Sequence, residues 1–181
     1  WSVHPFASIT TSCDQVGDFG KIEKFKINEN HYFIEGKIGK FYLLRKFKIL
    51  NFILSQIEIF IFLRKLIREE NIDFIKAHDP HYNSLIAYFL SFLTKTPFLV
   101  RVSGNFEKIY NDTRKPIVKR LFIFRTIEKI FEKFIFKKAH FVIAPNLDNL
   151  NYAFSYGLSK EKGAVVRYGS LIHKEHLTDP I

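Results

Sequence analysis

The sequence predicts an α/β fold with three layers around a mainly parallel sheet. Two observations carry this. Short apolar runs alternate with stretches long enough for helices, and each run gives way to polar, Gly or Pro residues at its end. Alternation of that kind reads as successive βαβ units, and right-handed crossovers then gather the C-terminal ends of the strands along one edge.

In chain order, Phe6–Thr11 reads as a short strand. Ile22–Ile27 and His31–Glu35 flank Asn28-Glu29-Asn30, a turn-forming triplet, and read as a hairpin or a strand–loop–strand. Phe47–Arg68 reads as a long helix entering the next run. Its apolar centre, Leu50–Leu63, is interrupted by Asn51, Ser55, Gln56 and Glu58, and is too short and too polar to span a bilayer.

The four diagnostic runs are Ile72–Ala77, Pro97–Val102, Ala139–Ala144 and Ala164–Arg167. Their length suits strands buried on both faces. Between them, Tyr82–Leu93, Pro116–Lys138 and Leu147–Tyr156 read as helices. In the second of these, Ile117, Leu121, Phe124, Ile127, Phe131, Phe134 and Ile135 recur near the helical period and mark its buried face. Pro116 suits a first turn, Asn83 or Ser84 suits a cap, and Gly157 suits a C-terminal stop. The architecture this describes is Rossmann-like.

Composition sets the class. Hydrophobic residues make up 47% and charged residues 25% of 181, which is globular rather than disordered. The lone cysteine, Cys13, allows no internal disulfide, so a reducing compartment is expected. Trp1 to Ser12 has no basic region followed by an apolar run, so no secretory signal is expected. The chain opens on Trp1 and contains no methionine, which points to a fragment.

The net charge of +10 is concentrated. Lys40–Arg68 holds seven basic residues against Glu58, and Arg114–Lys138 holds nine against Glu128 and Glu132. Both segments are rich in Phe. They read as helices packed on the sheet with their lysines in water, as an anionic membrane-surface patch, or as a nucleic-acid surface. The last lacks grooves or stacking platforms, and no nucleic-acid partner is expected.

Several chemistries have no signature. There is neither a dinucleotide G-x-G-x-x-G nor a Walker loop. Asp18-Phe19-Gly20 matches a kinase triplet by letters only, without the other kinase motifs. Ser103 lacks the nucleophile-elbow pattern. In an open parallel sheet, ligands bind beyond the C-terminal strand ends. Those ends are Ala77-His78-Asp79-Pro80-His81, Ser103-Gly104-Asn105, Pro145-Asn146 and Tyr168-Gly169-Ser170. Gly104 would let a backbone amide approach a phosphate or sugar closely. His78, Asp79 and His81 are metal-ligand types, but three ligands this close in sequence rarely converge and Pro80 stiffens the turn, so no metal is expected. His173-Lys174-Glu175-His176 lacks the metalloprotease spacing.

The stretch "ENIDFIKAHDPHYNSLIAYFLSFLTKTPFLVRVSGNFE", with "IEKIFEKFIFKKAHFVIAPNLDNLNYAFSYGLSKEKGAVVRYGSLI", resembles the N-terminal domain of family 4 glycosyltransferases, which have the GT-B fold. The resemblance covers about Phe47 to Ile172 and lies in the order and spacing of Asp73–Asp79, Pro97–Gly104, the helix carrying Glu132, and the last strand with its Gly169 turn. Ser103 stands where the family often has His, Ala139-His140 where it has Ala-Asp, Asn146 near where a Ser often follows the strand, and Tyr168 where it has Asn.

The resemblance implies retaining sugar transfer from a nucleotide-sugar donor to a glycan or lipid-linked acceptor, without a metal or other cofactor. It implies an acceptor-side domain over 1–172, lacking the first strand and its Gly-rich loop. Residues 173–181 would begin a linker to a C-terminal, donor-binding partner domain that carries an E-x7-E motif. His78 and Asp79 are the expected catalytic residues, and Ser103, Gly104, Asn105 and Asn146 the expected substrate-binding ones. An anionic membrane surface is a further expected partner, with a cytoplasmic, peripheral location on the inner face. A non-catalytic basic α/β module that binds anionic lipid or polymer is the competing expectation.

Overall fold

The apolar runs of the second half become one sheet in the computed structural model, which describes residues 1–5, 19–115 and 124–167. β4 (Ile75–His78), β5 (Phe98–Arg101), β6 (Phe141–Ala144) and β7 (Gly163–Val165) lie side by side in that order. Every pairing is parallel: Ala77 faces Val100, Val100 faces Val142, and Ala144 faces Val165. The chain is thus mixed α/β, with a four-stranded parallel sheet flanked by helices, consistent with the Rossmann-like three-layer class. Two compact units divide it, Trp1–Ile72 and Asp73–Ile181.

In the second unit, register partners share a face, because side chains alternate along each strand. Ile75, Ala77, Phe98, Val100, Val142, Ala144 and Val165 join the core. Against them pack side chains of α2 (Tyr82–Thr94), α3 (Phe106–Thr113), α4 (Arg125–Lys138) and α5 (Leu147–Ser155). The alternate residues, Lys76, His78, Leu99, Arg101, Phe141 and Ile143, are exposed or half-buried. The expectation of strands buried on both faces is therefore corrected. β4 places Lys76 and His78, and β5 Leu99 and Arg101, at period two, and that alternation decides the faces.

Phe98, Val100, Val142, Ile135 and Phe136 are fully buried, and Tyr88 meets Phe98 and Phe134 edge-on at 6.2 and 4.9 Å. Removing one such aromatic ring costs about 3–5 kcal/mol, so this cluster dominates the unit's stability.

The helix ends follow local chemistry. Asn146 caps α5, its Oδ1 accepting the Asn149 N–H at 2.9 Å. The helix then closes as the sequence predicts at Gly157, whose φ of +98° is left-handed. The Leu158 N–H donates to the Ala153 carbonyl and the Gly157 N–H to that of Phe154, the double closure of a glycine-terminated helix. At α2 the expected cap is corrected. His81 takes the capping position without a side-chain bond, and the Ser84 hydroxyl donates instead to the Asp79 carbonyl.

The buried face of α4 is corrected as well. Its buried residues are Arg125, Glu128, Glu132, Ile135 and Phe136, whereas Phe124 and Ile127 are exposed. The buried stripe carries charges because they satisfy one another, as described below. α3 is an eight-residue helix that the sequence reading did not contain. The predicted strand Phe6–Thr11, Cys13, the Pro116 turn, Tyr168-Gly169-Ser170 and His173–His176 lie outside the described residues.

In the first unit, β1 (Ser2–His4), β2 (Glu23–Asn28) and β3 (His31–Glu35) form a sheet in the order β1-β3-β2. β2 and β3 are the expected hairpin, and β1 runs parallel to β3. Asn28 Oδ1 accepts the Asn30 N–H in the turn at 3.1 Å. A short 3-10 turn, Tyr42–Leu44, leads to α1 (Lys48–Glu69). Among the described residues no helix is long and apolar enough to cross a membrane.

Candidate functional site

The parallel register fixes what stands at the strand ends. His78 pairs with Arg101 at the last rung of β4 and β5, and the Asp79 N–H donates to the Arg101 carbonyl at 2.8 Å. This extra rung holds Asp79 with a left-handed φ of +61°, which Asp tolerates better than most residues. Pro80 follows and is fully buried, so the turn into α2 is rigid.

The left-handed turn aims the Asp79 carboxylate across to the next strand end. Oδ1 accepts both the backbone N–H and the hydroxyl of Ser103, each at 2.8 Å, and Oδ2 lies 2.9 Å from the same hydroxyl. His78 is exposed, with Nδ1 at 3.9 Å from Asp79 Oδ2. A carboxylate offers about four acceptor positions, and Ser103 uses only part of them. An imidazole, a hydroxyl and a carboxylate edge therefore converge, a set suited to hydrogen-bonding a polyhydroxylated ligand.

Gly104 follows directly. It needs no left-handed backbone; among the described residues the glycines with positive φ are Gly20 and Gly157. A Cβ on Gly104 would come to 3.1 Å from Ile109 Cδ1, the end of a flexible side chain. The fold thus tolerates a methyl group at this position.

Asn105 and Asn146 have structural work. Asn105 caps α3, accepting the Lys108 N–H at 3.2 Å, and its amide donates to Asp148 at 3.3 Å. Lys108 also reaches Asp148, at 2.8 Å, and this bond first of all holds the Asp148 carboxyl below its ordinary range. Asn146 caps α5. These two helix starts are thereby tied together across the ends of β5 and β6.

Behind the strand ends lies a buried charged network that the sequence reading did not identify. Arg125 grips both oxygens of Glu132, with Nη2 to Oε2 at 2.9 Å, and reaches Glu128 at 3.1 Å and Glu107 at 3.3 Å. His81 Nε2 donates to Glu132 at 3.1 Å. Lys129 and the Tyr156 hydroxyl donate to Glu107 at 2.7 and 2.6 Å. Burial opposes ionisation of Glu107, but bonds from Lys129, Tyr156 and Arg125 outweigh it and bring its carboxyl down to about 2. Burial likewise opposes the charge on Glu132, and bonds from His81 and Arg125 still hold it low. One signal was available in the sequence: Arg125, Glu128, Glu132 and Ile135 recur at spacings of three and four, one helix face.

His78, Asp79 and His81 do not form a common ligand set. His81 is turned inward to Glu132, while Asp79 is engaged by Ser103. Among the described residues no group of three or more His, Cys, Asp or Glu side chains is placed to hold a metal ion. Of the residues the sequence reading assigned, His78, Asp79, Ser103 and Gly104 stand together on neighbouring strand ends, and Asn105 and Asn146 act as helix caps beside them.

No protein-family model matches the sequence, and no curated protein matches it significantly.

Proposed function

We propose that the chain is the acceptor-binding half of a retaining glycosyltransferase, with a glycan or lipid-linked hydroxyl compound seated at the ends of β4 and β5. One observation carries the reading. Asp79 and Ser103, on neighbouring parallel strands, are locked together, with His78 exposed at their side and bare Gly104 next in the chain. Asp79 would accept a hydrogen bond from an acceptor hydroxyl, and His78 would orient that hydroxyl or take its proton. The Gly104 amide would sit where charge develops on the donor phosphate. The nucleotide-sugar donor would be held by a second, donor-binding half, so the chain alone would not turn over.

The test is to express the chain together with its contiguous downstream coding sequence and measure sugar transfer from a panel of nucleotide sugars. Asp79→Asn and Ser103→Ala should each lower kcat/KM for the acceptor by roughly tenfold or more and leave donor hydrolysis unchanged. Wild-type acceptor kinetics in both variants would overturn the reading. So would transfer catalysed by the isolated chain.

The second reading is a non-catalytic basic module that binds anionic lipid or polymer. The exposed apolar side chains of α1, flanked by basic residues, favour it. A downstream reading frame without an acidic, donor-binding half would support this alternative.

A further inference from the structure

Helix α1 is apolar on two sides: Ile59, Leu63, Leu66 and Ile67 are buried, together with Asn51 and Ser55. Asn51 Oδ1 accepts the N–H groups of Lys40 and Phe41 at 2.7 and 2.9 Å, its amide donates to the Phe41 carbonyl at 2.7 Å, and Ser55 donates to the Lys37 carbonyl. Four other isoleucines face outward: Ile49, Ile53, Ile57 and Ile61 are 79, 47, 50 and 61% exposed. Leu50 is exposed among them, and the preceding turn adds Leu43, Phe47, Phe41 and Tyr42. A helix in water normally keeps its outward face polar.

We propose that the Ile49–Ile61 face of α1, with the turn before it, docks on an anionic lipid surface. The charges around the face select this occupant. Lys46 and Lys48 stand exposed at its N-terminal end, and Arg64, Lys65 and Arg68 at its C-terminal end. Of the two acids on the helix before Glu70, Glu58 is paired with Lys40 and Glu69 with Lys65, both at 3.6 Å. Apolar residues between basic ones suit an acyl boundary beneath anionic headgroups.

The four isoleucines step by four residues, which turns the row by about 40° each time and spreads it over roughly 120°, a broad face suited to a plane. Leu50, Ile53 and Ile57 also keep a three-four spacing, so it is the basic residues at both ends, and not the spacing, that select lipid over a second copy of the helix. The helix would lie flat, since it is not apolar enough to cross the bilayer. The inference does not depend on sugar transfer, and its test involves no sugar.

The test is flotation of the full chain with phosphatidylcholine vesicles, with and without phosphatidylglycerol, at low and high salt. Wild type should float only with the anionic vesicles and be released by salt. Ile53→Ser with Ile57→Ser should reduce binding by on the order of tenfold or more, and Lys48→Gln with Arg64→Gln by a smaller factor that salt abolishes. Circular dichroism establishes that the variants are folded. As a variant that retains the apolar face, Ile57→Trp in a Trp1→Phe background should be quenched by brominated acyl chains. Undiminished flotation of the isoleucine variant, equal binding to neutral vesicles, an unquenched tryptophan, or a lipid-free dimer that the isoleucine substitutions dissolve would each overturn the proposal.

Discussion

Ser103 donates its backbone N–H and its hydroxyl to the carboxylate of Asp79, at distances between 2.8 and 2.9 Å, so two neighbouring strand ends share one hydrogen-bond clamp. The two partners make unequal contributions. Ser103→Ala removes the hydroxyl bond and keeps the backbone one, at a cost of about 0.5–1 kcal/mol. Asp79→Ala removes both and places a residue without a local acceptor in the left-handed region, at a cost of about 2–3 kcal/mol. Asp79→Asn keeps the tolerance for that backbone and should fall between. Urea denaturation of the single and double variants measures the coupling, and additive effects of Ser103→Ala and Asp79→Ala would show that the clamp does not act as a unit.

The clamp shows what the sequence leaves legible. The strands are readable because each is a short β-branched or aromatic run closed by a turn, and their parallel order follows from the helices between them. That places His78, Asp79, Ser103 and Gly104 on one edge. It does not pair Asp79 with Ser103, which depends on the register of β4 against β5 and on the left-handed turn at Asp79. The caps at Asn105 and Asn146 compete with a ligand-binding reading in sequence, because capping and binding use the same side-chain chemistry.

The α4 face is the instructive failure. Apolar spacing alone puts Phe124 and Ile127 inside, yet they are exposed, and Glu128 and Glu132 are fully buried. Those carboxylates are buried against Arg125, which bonds both, and Glu132 is also met by His81. α1 likewise buries Asn51 and Ser55 beside Ile59 and Leu63. A search for apolar spacing is blind to such faces, since Arg125, Glu128 and Glu132 pair along α4 and Asn51 meets the Lys40–Phe41 backbone.

Breaking the α4 network from one side should be severe. Glu132→Ala leaves Arg125 buried with only Glu128 and Glu107 of its three carboxylate partners, and His81 without its acceptor. The expected loss is about 3–5 kcal/mol. Arg125→Met leaves Glu128 and Glu132 as two buried carboxylates, with a comparable loss. Combining Arg125→Met with Glu132→Ala should cost less than the two singles together, because Glu132 no longer needs the missing charge, although Glu128 stays buried. Chemical denaturation of the three variants decides, and a double variant as unstable as the sum of the singles would contradict it.

The same carboxylates set the acid limb of stability. The folded-state pKa of Glu107 lies at about 2 and that of Glu132 is also lowered, despite the burial that opposes both. A depressed carboxyl stabilises the fold above its unfolded value, near 4.5, and the benefit is lost as pH falls towards the folded value. Stability should therefore drop between about pH 5 and pH 2, and Glu107→Gln should flatten that drop. On the alkaline side, burial raises Tyr82 to about 12 and also raises Tyr152 and Tyr156. Their contribution is complete below the ordinary tyrosine value and disappears as pH climbs through the raised ones, so unfolding should set in above about pH 10. Thermal melts across the pH range measure both limbs.

Gly36 and Gly104 separate a packing glycine from a binding one. A Cβ on Gly36 would lie 2.2 Å from the Pro5 carbonyl oxygen and 2.7 Å from Ile59 Cδ1, so Gly36→Ala forces backbone apart and should cost several kcal/mol, about the range of an overpacked core. A Cβ on Gly104 comes closest to the tip of Ile109, at 3.1 Å, which can rotate aside, and meets Phe106 at an ordinary 3.8 Å. Gly104→Ala should therefore change stability by less than about 1 kcal/mol. If the strand-end crevice takes a sugar acceptor or donor phosphate, the same substitution should weaken binding while the melting curve stays in place, because the added methyl stands where a ligand would meet the backbone. Binding by titration calorimetry beside a thermal melt tells the two apart. A Gly104→Ala protein that is unaltered in both would remove Gly104 from the site and leave Asp79, Ser103 and His78 to account for recognition.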